Sequence, residues 1–205
     1  AAEPVKITSP NNKISVDLKT GKGEFGWTVS KDGQTVYSME DVWLSINGKT
    51  LGGDAAVKNV KTKTVNETFK PVVPLKFSTI ENNYTEATVN FGAYTVELRV
   101  MDNAVAYRFV TKMKGEVIVD NESFTMIPES GYTTHFQPCS KPDFNTSFEE
   151  RYQHMETEKW VNEWANNRKQ ATVPMLLSGA NDTQLLIGES DVDDYPRVFL
   201  RGNKK

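Results

Sequence analysis

The sequence predicts an all-β fold, a single sandwich-like domain over residues 1–205 with at most one short helix, and three observations carry that expectation. Short runs of apolar residues alternate with polar ones along most of the chain, the period of a strand with one face buried. Turn pairs such as Asp32-Gly33 and Asn47-Gly48 recur between those runs, and such pairs favour the positive φ angles of tight hairpin turns. Helical spacing competes in one segment only. A chain of 205 residues suffices for one sizeable core, and β-sandwiches of this length commonly form one domain.

Ile14, Val16 and Leu18 form the first alternating run, Thr20-Gly21-Lys22-Gly23 turns the chain, and Phe25, Trp27 and Val29 alternate again. Lys31-Asp32-Gly33-Gln34 then reads as a hairpin turn, and Asn47-Gly48 repeats the device after Val42, Leu44 and Ile46. Gly52-Gly53-Asp54 loosens the chain. Pro71 and Pro74 bracket Val72-Val73 and confine them to an edge or a loop, after which Leu75 and Phe77 resume the alternation. Ala87, Val89 and Phe91 share one parity while Tyr94, Val96, Leu98 and Val100 share the other, so the inward face changes phase at Gly92-Ala93. Asp102-Asn103 turns the chain into Val105, Tyr107 and Phe109. Arg108, on the face of Ala104 and Ala106, either crosses a layer of small residues or faces solvent. Val117 and Val119, then Phe124 and Met126, predict two short strands around Asp120-Asn121. Between Ser147 and Asn167, Phe148, Tyr152, Met155, Val161 and Trp164 fall near helical spacing, which predicts a short surface helix. Pro174 precedes a last pair of apolar runs, Met175-Leu176-Leu177 and Leu185 to Ile187.

Charge and motif content exclude several classes of function. With 24 Lys+Arg against 27 Asp+Glu and a net charge of -3, the chain has no cationic surplus to neutralise phosphates, so nucleic acid is not an expected partner. No apolar run approaches the roughly 20 residues that span a bilayer. Cys139 is the only cysteine, which rules out an intrachain disulfide without deciding the compartment. Ala1-Ala2-Glu3-Pro4 would suit the start of a mature exported chain, and an artificial start explains it equally well. The sequence holds no phosphate-binding glycine loop, nucleophile elbow, Cys-x-x-Cys pair or His-Glu-x-x-His helix. Asn-x-Ser/Thr sequons occur at Asn66, Asn83, Asn121, Asn145 and Asn181, which arise readily by chance in a chain this rich in Asn and Thr.

The stretch that concentrates chemistry runs from Thr183 to Leu200. Its apolar run ends at Gly188 and passes into Glu189, Asp191, Asp193 and Asp194 before Tyr195-Pro196 breaks the chain. Carboxylates at the rim of a sheet suit a hard cation such as Ca²⁺ and also meet sugar hydroxyls; a solvated acidic turn is the plainer reading. Two imidazoles, His135 and His154, are too few for a histidine-rich zinc site. Abundant acidic residues do not reveal which two carboxyls stand the roughly 5–9.5 Å apart that glycoside hydrolysis needs.

Five stretches together resemble the N-terminal domain of glycoside hydrolase family 97. Ile7-Thr-Ser-Pro-Asn-Asn-Lys-Ile-Ser-Val16 is similar to the family's opening strand, Asn82-Asn83-Tyr84-Thr-Glu86 to its Asn-x-Tyr-Asn-Glu segment, and Met101-Asp-Asn-Ala-Val-Ala-Tyr-Arg-Phe109 to its Asp-Asp-Gly-Val-Ala-Phe-Arg-Tyr hairpin. Phe148-Glu149-Glu-Arg-Tyr152 resembles Tyr-Glu-x-x-Tyr. Ile187-Gly-Glu-Ser-Asp-Val-Asp-Asp-Tyr195 resembles Glu-Ala-Asp-Leu-x-x-Tyr, with Pro174 at the proline before the preceding strand.

The resemblance implies a β-supersandwich of the galactose-mutarotase type, in the periplasm or secreted, packed against a catalytic (β/α)₈ barrel of the same polypeptide that cleaves an oligosaccharide, an α-linked glucoside or galactoside. That barrel is absent from this chain, which ends at Lys205, short of the family domain's end, and the resemblance therefore implies a fragment inactive by itself. By position Glu189 corresponds to the family glutamate that reaches a calcium ion shared with the barrel, and Ser190 and Val192 depart from the motif without displacing it. The resemblance also points to Glu149 and Tyr152 for substrate binding or the domain interface. Two other readings stay open: a stand-alone carbohydrate-binding or interaction module displaying Trp43, Trp160 and Trp164, which core packing explains at least as well, and an aldose epimerase using His135, His154 and a carboxylate.

Overall fold

The computed structural model describes residues 4–139, 148–166, 169–180 and 182–204. Asn145, Ser147, Asn167 and Asn181 lie outside them. The strands are β1 (Val5–Thr8), β2 (Ile14–Lys19), β3 (Gly26–Lys31), β4 (Gln34–Ile46), β5 (Lys49–Gly52), β6 (Asn59–Phe69), β7 (Ile80–Asn90), β8 (Tyr94–Met101), β9 (Val105–Thr111), β10 (Val119–Pro128), β11 (Thr133–Phe136), β12 (Pro138–Cys139) and β13 (Gln153–Glu156). The helix α1 (Thr157–Glu163) follows, then β14 (Gln170–Thr172), β15 (Met175–Ser178), β16 (Gln184–Ile187) and β17 (Phe199–Leu200). The chain forms two compact units, Ala1–Pro128 and Glu129–Lys205.

The first unit is the expected β-sandwich. One sheet runs β1-β2-β3-β4-β10 with β5 also on β4, and the other runs β6-β7-β8-β9. Alternation brings Val16, Leu18 and Trp27 from the first sheet and Ala87, Val89, Val96, Leu98 and Val100 from the second into one core. The hairpin grammar holds: Asp32 and Gly33 have φ of 49° and 79°, and Asn47 and Gly48 have 50° and 70°. Gly26 has a separate reason to be glycine, because a Cβ there would collide with the Met39 carbonyl oxygen.

Two sequence expectations change here, and one open alternative is settled. In place of two short strands, Val119–Pro128 is one strand paired along β4, with register shifts between Val119 and Asn121 and between Ser123 and Thr125. Leu75 and Phe77 belong to no strand; they sit in the connection between β6 and β7, 89% and 67% exposed. Arg108 faces outward, where its Nε meets Glu97 at 2.8 Å.

Three of the five family-like stretches have structural roles. Asp102 Oδ1 accepts the Asn11 backbone N–H at 2.9 Å, so the opening loop and the β8–β9 hairpin hold one another. On β7, the buried Tyr84 lies under the Arg99 guanidinium, 4.6 Å from ring centroid to cation. Glu86, also buried, pairs with Lys63 at 2.9 Å and Arg99 at 3.3 Å.

In the second unit, one sheet runs β13-β11-β15-β16 and another β12-β14-β17. The helix is shorter than the spacing predicts: Gln153–Glu156 is a strand, paired with β11 from Phe136↔Gln153 to Thr133↔Glu156, and only Thr157–Glu163 is helical. Tyr152 and Met155 are therefore not on a helix, and Phe148 adopts φ 57°, which no helix allows. Thr157 starts α1 under tertiary instruction: its N–H and its hydroxyl both donate to the Tyr132 carbonyl, at 2.9 and 2.8 Å.

Candidate functional site

Strand β16 delivers the acidic stretch. Its four residues pair with β15 from Ser178↔Gln184 to Met175↔Ile187, and the strand ends at Gly188, one residue before Glu189. The Glu189 side chain is 16% exposed, neither sealed in a core nor free in solvent. Its two oxygens accept the Val198 backbone N–H at 3.2 and 3.1 Å, and Arg197 Nε stands 4.0 Å from Oε1. The carboxylate thus closes the loop 189–198 on itself, with Asp191 at φ 60° and Asp191, Asp193 and Asp194 exposed around the turn.

The guanidinium of Arg197 also lies 5.7 Å from the centre of the Phe148 ring. Phe148, Arg197, Thr172, Val173, Val198 and Phe199 line a shallow open depression that encloses no cavity. An oligosaccharide needs more than that, since ligand sites usually enclose roughly 300–1,000 Å³. Gln137 anchors one rim: its Nε2 donates to the carbonyls of Phe148 at 2.6 Å and Glu150 at 3.1 Å, and its Oε1 accepts from Thr172 Oγ1 at 3.3 Å. The segment carrying Glu149 and Tyr152 is thereby held beside the Glu189 loop, and both of those side chains are exposed. Sequence reasoning did not single out Arg197, Gln137 or the Val198 amide. Each acts through a contact between loops, which leaves no periodic trace.

Can these residues hold calcium? A carboxylate is the right donor for a hard cation, and each Glu189 oxygen keeps a lone pair beyond the Val198 contact. Among the described residues, however, no three His, Cys, Asp or Glu side chains gather into a metal-binding group, and Ca²⁺ takes 6 to 8 oxygens. The site fits one contributed ligand and not a complete shell.

His135 and His154 do come together. They face one another across β11 and β13, Nδ1 to Nδ1 at 2.6 Å. His135 Nε2 meets Ser178 Oγ at 2.9 Å, and Ser178 donates to Gln184 Oε1 at 2.7 Å. The result is a hydrogen-bonded ladder across four strands. An aldose epimerase needs its acid and base at two different oxygens of a bound sugar, and two nitrogens in direct contact leave no room for a sugar between them. Trp160 and Trp164, each 6% exposed, pack edge-on against Phe136 with centroids 5.9 and 4.8 Å away. Of the two readings of these tryptophans, display to sugars or core packing, the second holds: they are core. Trp43 is half-buried. Cys139 is buried, and that burial, with Glu150 as a lesser cause, pushes its thiol up from the ordinary range; a thiol so held is a poor nucleophile.

Among the described residues the chain is thus all-β apart from one short helix, with the Glu189 carboxylate held just past the end of β16. The family model described as glycosyl-hydrolase 97 N-terminal matches residues 7–205, and the chain belongs to that family. Among solved structures it is similar to a glycoside hydrolase family 97 enzyme from Pseudoalteromonas sp. strain K8 in complex with acarbose, with TM-score 0.76, 15% identity, and coverage of 98% of this chain and 30% of that one. A variant of the same enzyme in complex with panose matches equally. A β-arabinopyranosidase matches with TM-score 0.77 and 20% identity over 92% of this chain and 32% of its own. No curated protein sequence matches. The chain thus spans about a third or less of the length of these enzymes.

Proposed function

We propose that residues 1–205 act as the N-terminal accessory domain of an α-glycosidase that hydrolyses α-linked glucosides or galactosides outside the cytoplasm, in the periplasm or secreted. In this reading the chain supplies one wall of the active site and one calcium ligand, Glu189, to a catalytic barrel in the same polypeptide. The single observation that carries it is the posture of Glu189 at the end of β16: a partly exposed carboxylate aimed by the Val198 N–H, in a chain of this family.

Bound Ca²⁺ supplies fixed positive charge that orients sugar hydroxyls and stabilises charge developing in the reaction. The chain's own part is positional. The Val198 amide restricts the Glu189 rotamers, so less entropy is lost when a ligand is met. Arg197 competes for the carboxylate weakly, at 4.0 Å and 60% exposed, and can turn away without leaving a buried charge. Glu149 and Tyr152, exposed on the adjoining segment, extend the same wall toward substrate or barrel. Relatives crystallised with acarbose and panose, and one that is a β-arabinopyranosidase, define the substrate panel to assay.

In the full-length enzyme, Glu189→Gln is expected to raise the Ca²⁺ concentration for half-maximal turnover at least tenfold, measured by titration back from chelator. Kinetics indistinguishable from the parent would refute the assignment. The isolated chain is expected to bind Ca²⁺ no more tightly than roughly millimolar, because one carboxylate leaves most of the shell to water; micromolar binding by calorimetry contradicts a shared site.

A further inference from the structure

The sandwich carries one feature that its own core does not use. Strands β6 and β7 pair over eleven positions, from Asn59↔Asn90 to Phe69↔Ile80, whereas β8 joins β7 only from Tyr84↔Met101 onward. Among the described residues, the four outer pairs, Asn66↔Asn83 to Phe69↔Ile80, have no third strand paired to them. At about 3.4 Å per residue they extend the hairpin roughly 14 Å past the sheet. A lone two-stranded ribbon is marginal in water, so this arm has little reason to stand out unless something covers it.

Its tip shows what kind of surface would do so. Phe69, Val72, Val73, Leu75 and Phe77 are 49%, 100%, 66%, 89% and 67% exposed. Among the described residues, five of the twelve large apolar side chains left exposed fall within these nine positions, a concentration that marks an interaction surface. Pro71 and Pro74 stiffen the connection, and residues 70–79 include Lys70 and Lys76 but no acid.

We propose that the β6–β7 arm is a docking clamp whose apolar tip seats on the remainder of the same polypeptide, in an apolar recess with an acidic rim. This rests on the reading that a catalytic domain accompanies the chain. The relatives' length supports that occupant: 98% of this chain accounts for only 30% of the enzyme it matches, and a tethered partner meets the arm at high effective concentration. A second copy adding strands to the edge is disfavoured by the exposed Lys61, Lys63 and Glu67 along β6, since charges on an edge strand oppose pairing. A lipid surface is disfavoured by two tip lysines on a chain of net charge -3, too few to hold a shallow apolar loop on anionic lipid.

Hydrogen exchange on the full-length enzyme tests the clamp. The amides of Val72, Val73, Leu75, Lys76 and Phe77 lie outside any strand and should exchange at nearly intrinsic rates if uncovered. At least tenfold protection is expected in the intact enzyme, lost in the Val72→Ser/Leu75→Ser double variant, whose substitutions sit on exposed positions and leave the sandwich core untouched. Intrinsic-rate exchange overturns the proposal. So does protection that appears only as enzyme concentration rises, which means a second copy, or only with vesicles containing one-third phosphatidylglycerol, which means lipid. Glu189→Gln should leave the protection unchanged; a clamp that fails while the Ca²⁺ dependence stands removes this inference alone.

Discussion

At the scale of single residues, burial separates Glu86 from Glu189, although both are glutamates on or just past a strand. Glu86 is 8% exposed and holds Lys63 and Arg99. Burial pushes its carboxyl up, and the bonds to Lys63 and Arg99 more than offset this, leaving it below the usual carboxylate range. A group whose folded pKa is depressed adds stability that is present above the unfolded value of about 4.3 and is lost as pH falls through the folded one. Glu86→Gln is therefore expected to cost about 1–2 kcal/mol near neutral pH, and the gap in melting temperature from the parent should close as pH drops below about 4. A gap that stays constant from pH 7 to pH 3 excludes this ion pair as a source of stability. Glu189, by contrast, is held by one amide and a distant guanidinium, so its loss should be read in metal dependence rather than in folding.

Elements succeed or fail as expectations according to whether their instructions are local. Turns with Asp-Gly and Asn-Gly form where the residues say, because positive φ is a property of those residues themselves. The segment from Phe148 to Glu163 behaves differently: apolar residues near helical spacing become a loop, a strand and a seven-residue helix. Pairing of β13 with β11 covers a sheet edge that a surface helix here would leave open, and the Tyr132 carbonyl sets where α1 begins. What α1 contributes is aromatic packing. Trp160→Ala is expected to cost about 3–5 kcal/mol, as for other large-to-small changes in a core, seen as a lower denaturation midpoint with loss of near-ultraviolet ellipticity. A cost below about 1 kcal/mol would mean that the Phe136 contacts do not stabilise this unit.

For the whole molecule, family membership and fold agree: an all-β chain of the glycosyl-hydrolase 97 N-terminal family, similar in fold to enzymes about three times its length. On the proposed reading the chain assists catalysis carried out by other residues. It should release no sugar from panose or from an aryl α-glucoside when assayed alone, and turnover above the uncatalysed rate, abolished by a substitution in this chain, would assign the chemistry here.

Alternation from Ile14 to Val29 and from Ala87 to Val100 was enough to foretell an all-β core, because a two-residue period ties sidedness to sequence without reference to partners. The ordered series of short stretches, ending with Glu189, was likewise legible as a family resemblance. The sequence was silent on the reach of β6 beyond its sheet, the contact of His135 with His154, the burial of Trp160 and Trp164, and the Val198 N–H on Glu189. Those depend on which strands become neighbours and on how loops far apart in the chain meet, and such encounters are decided by the packing of the whole fold, not by any residue's own preference.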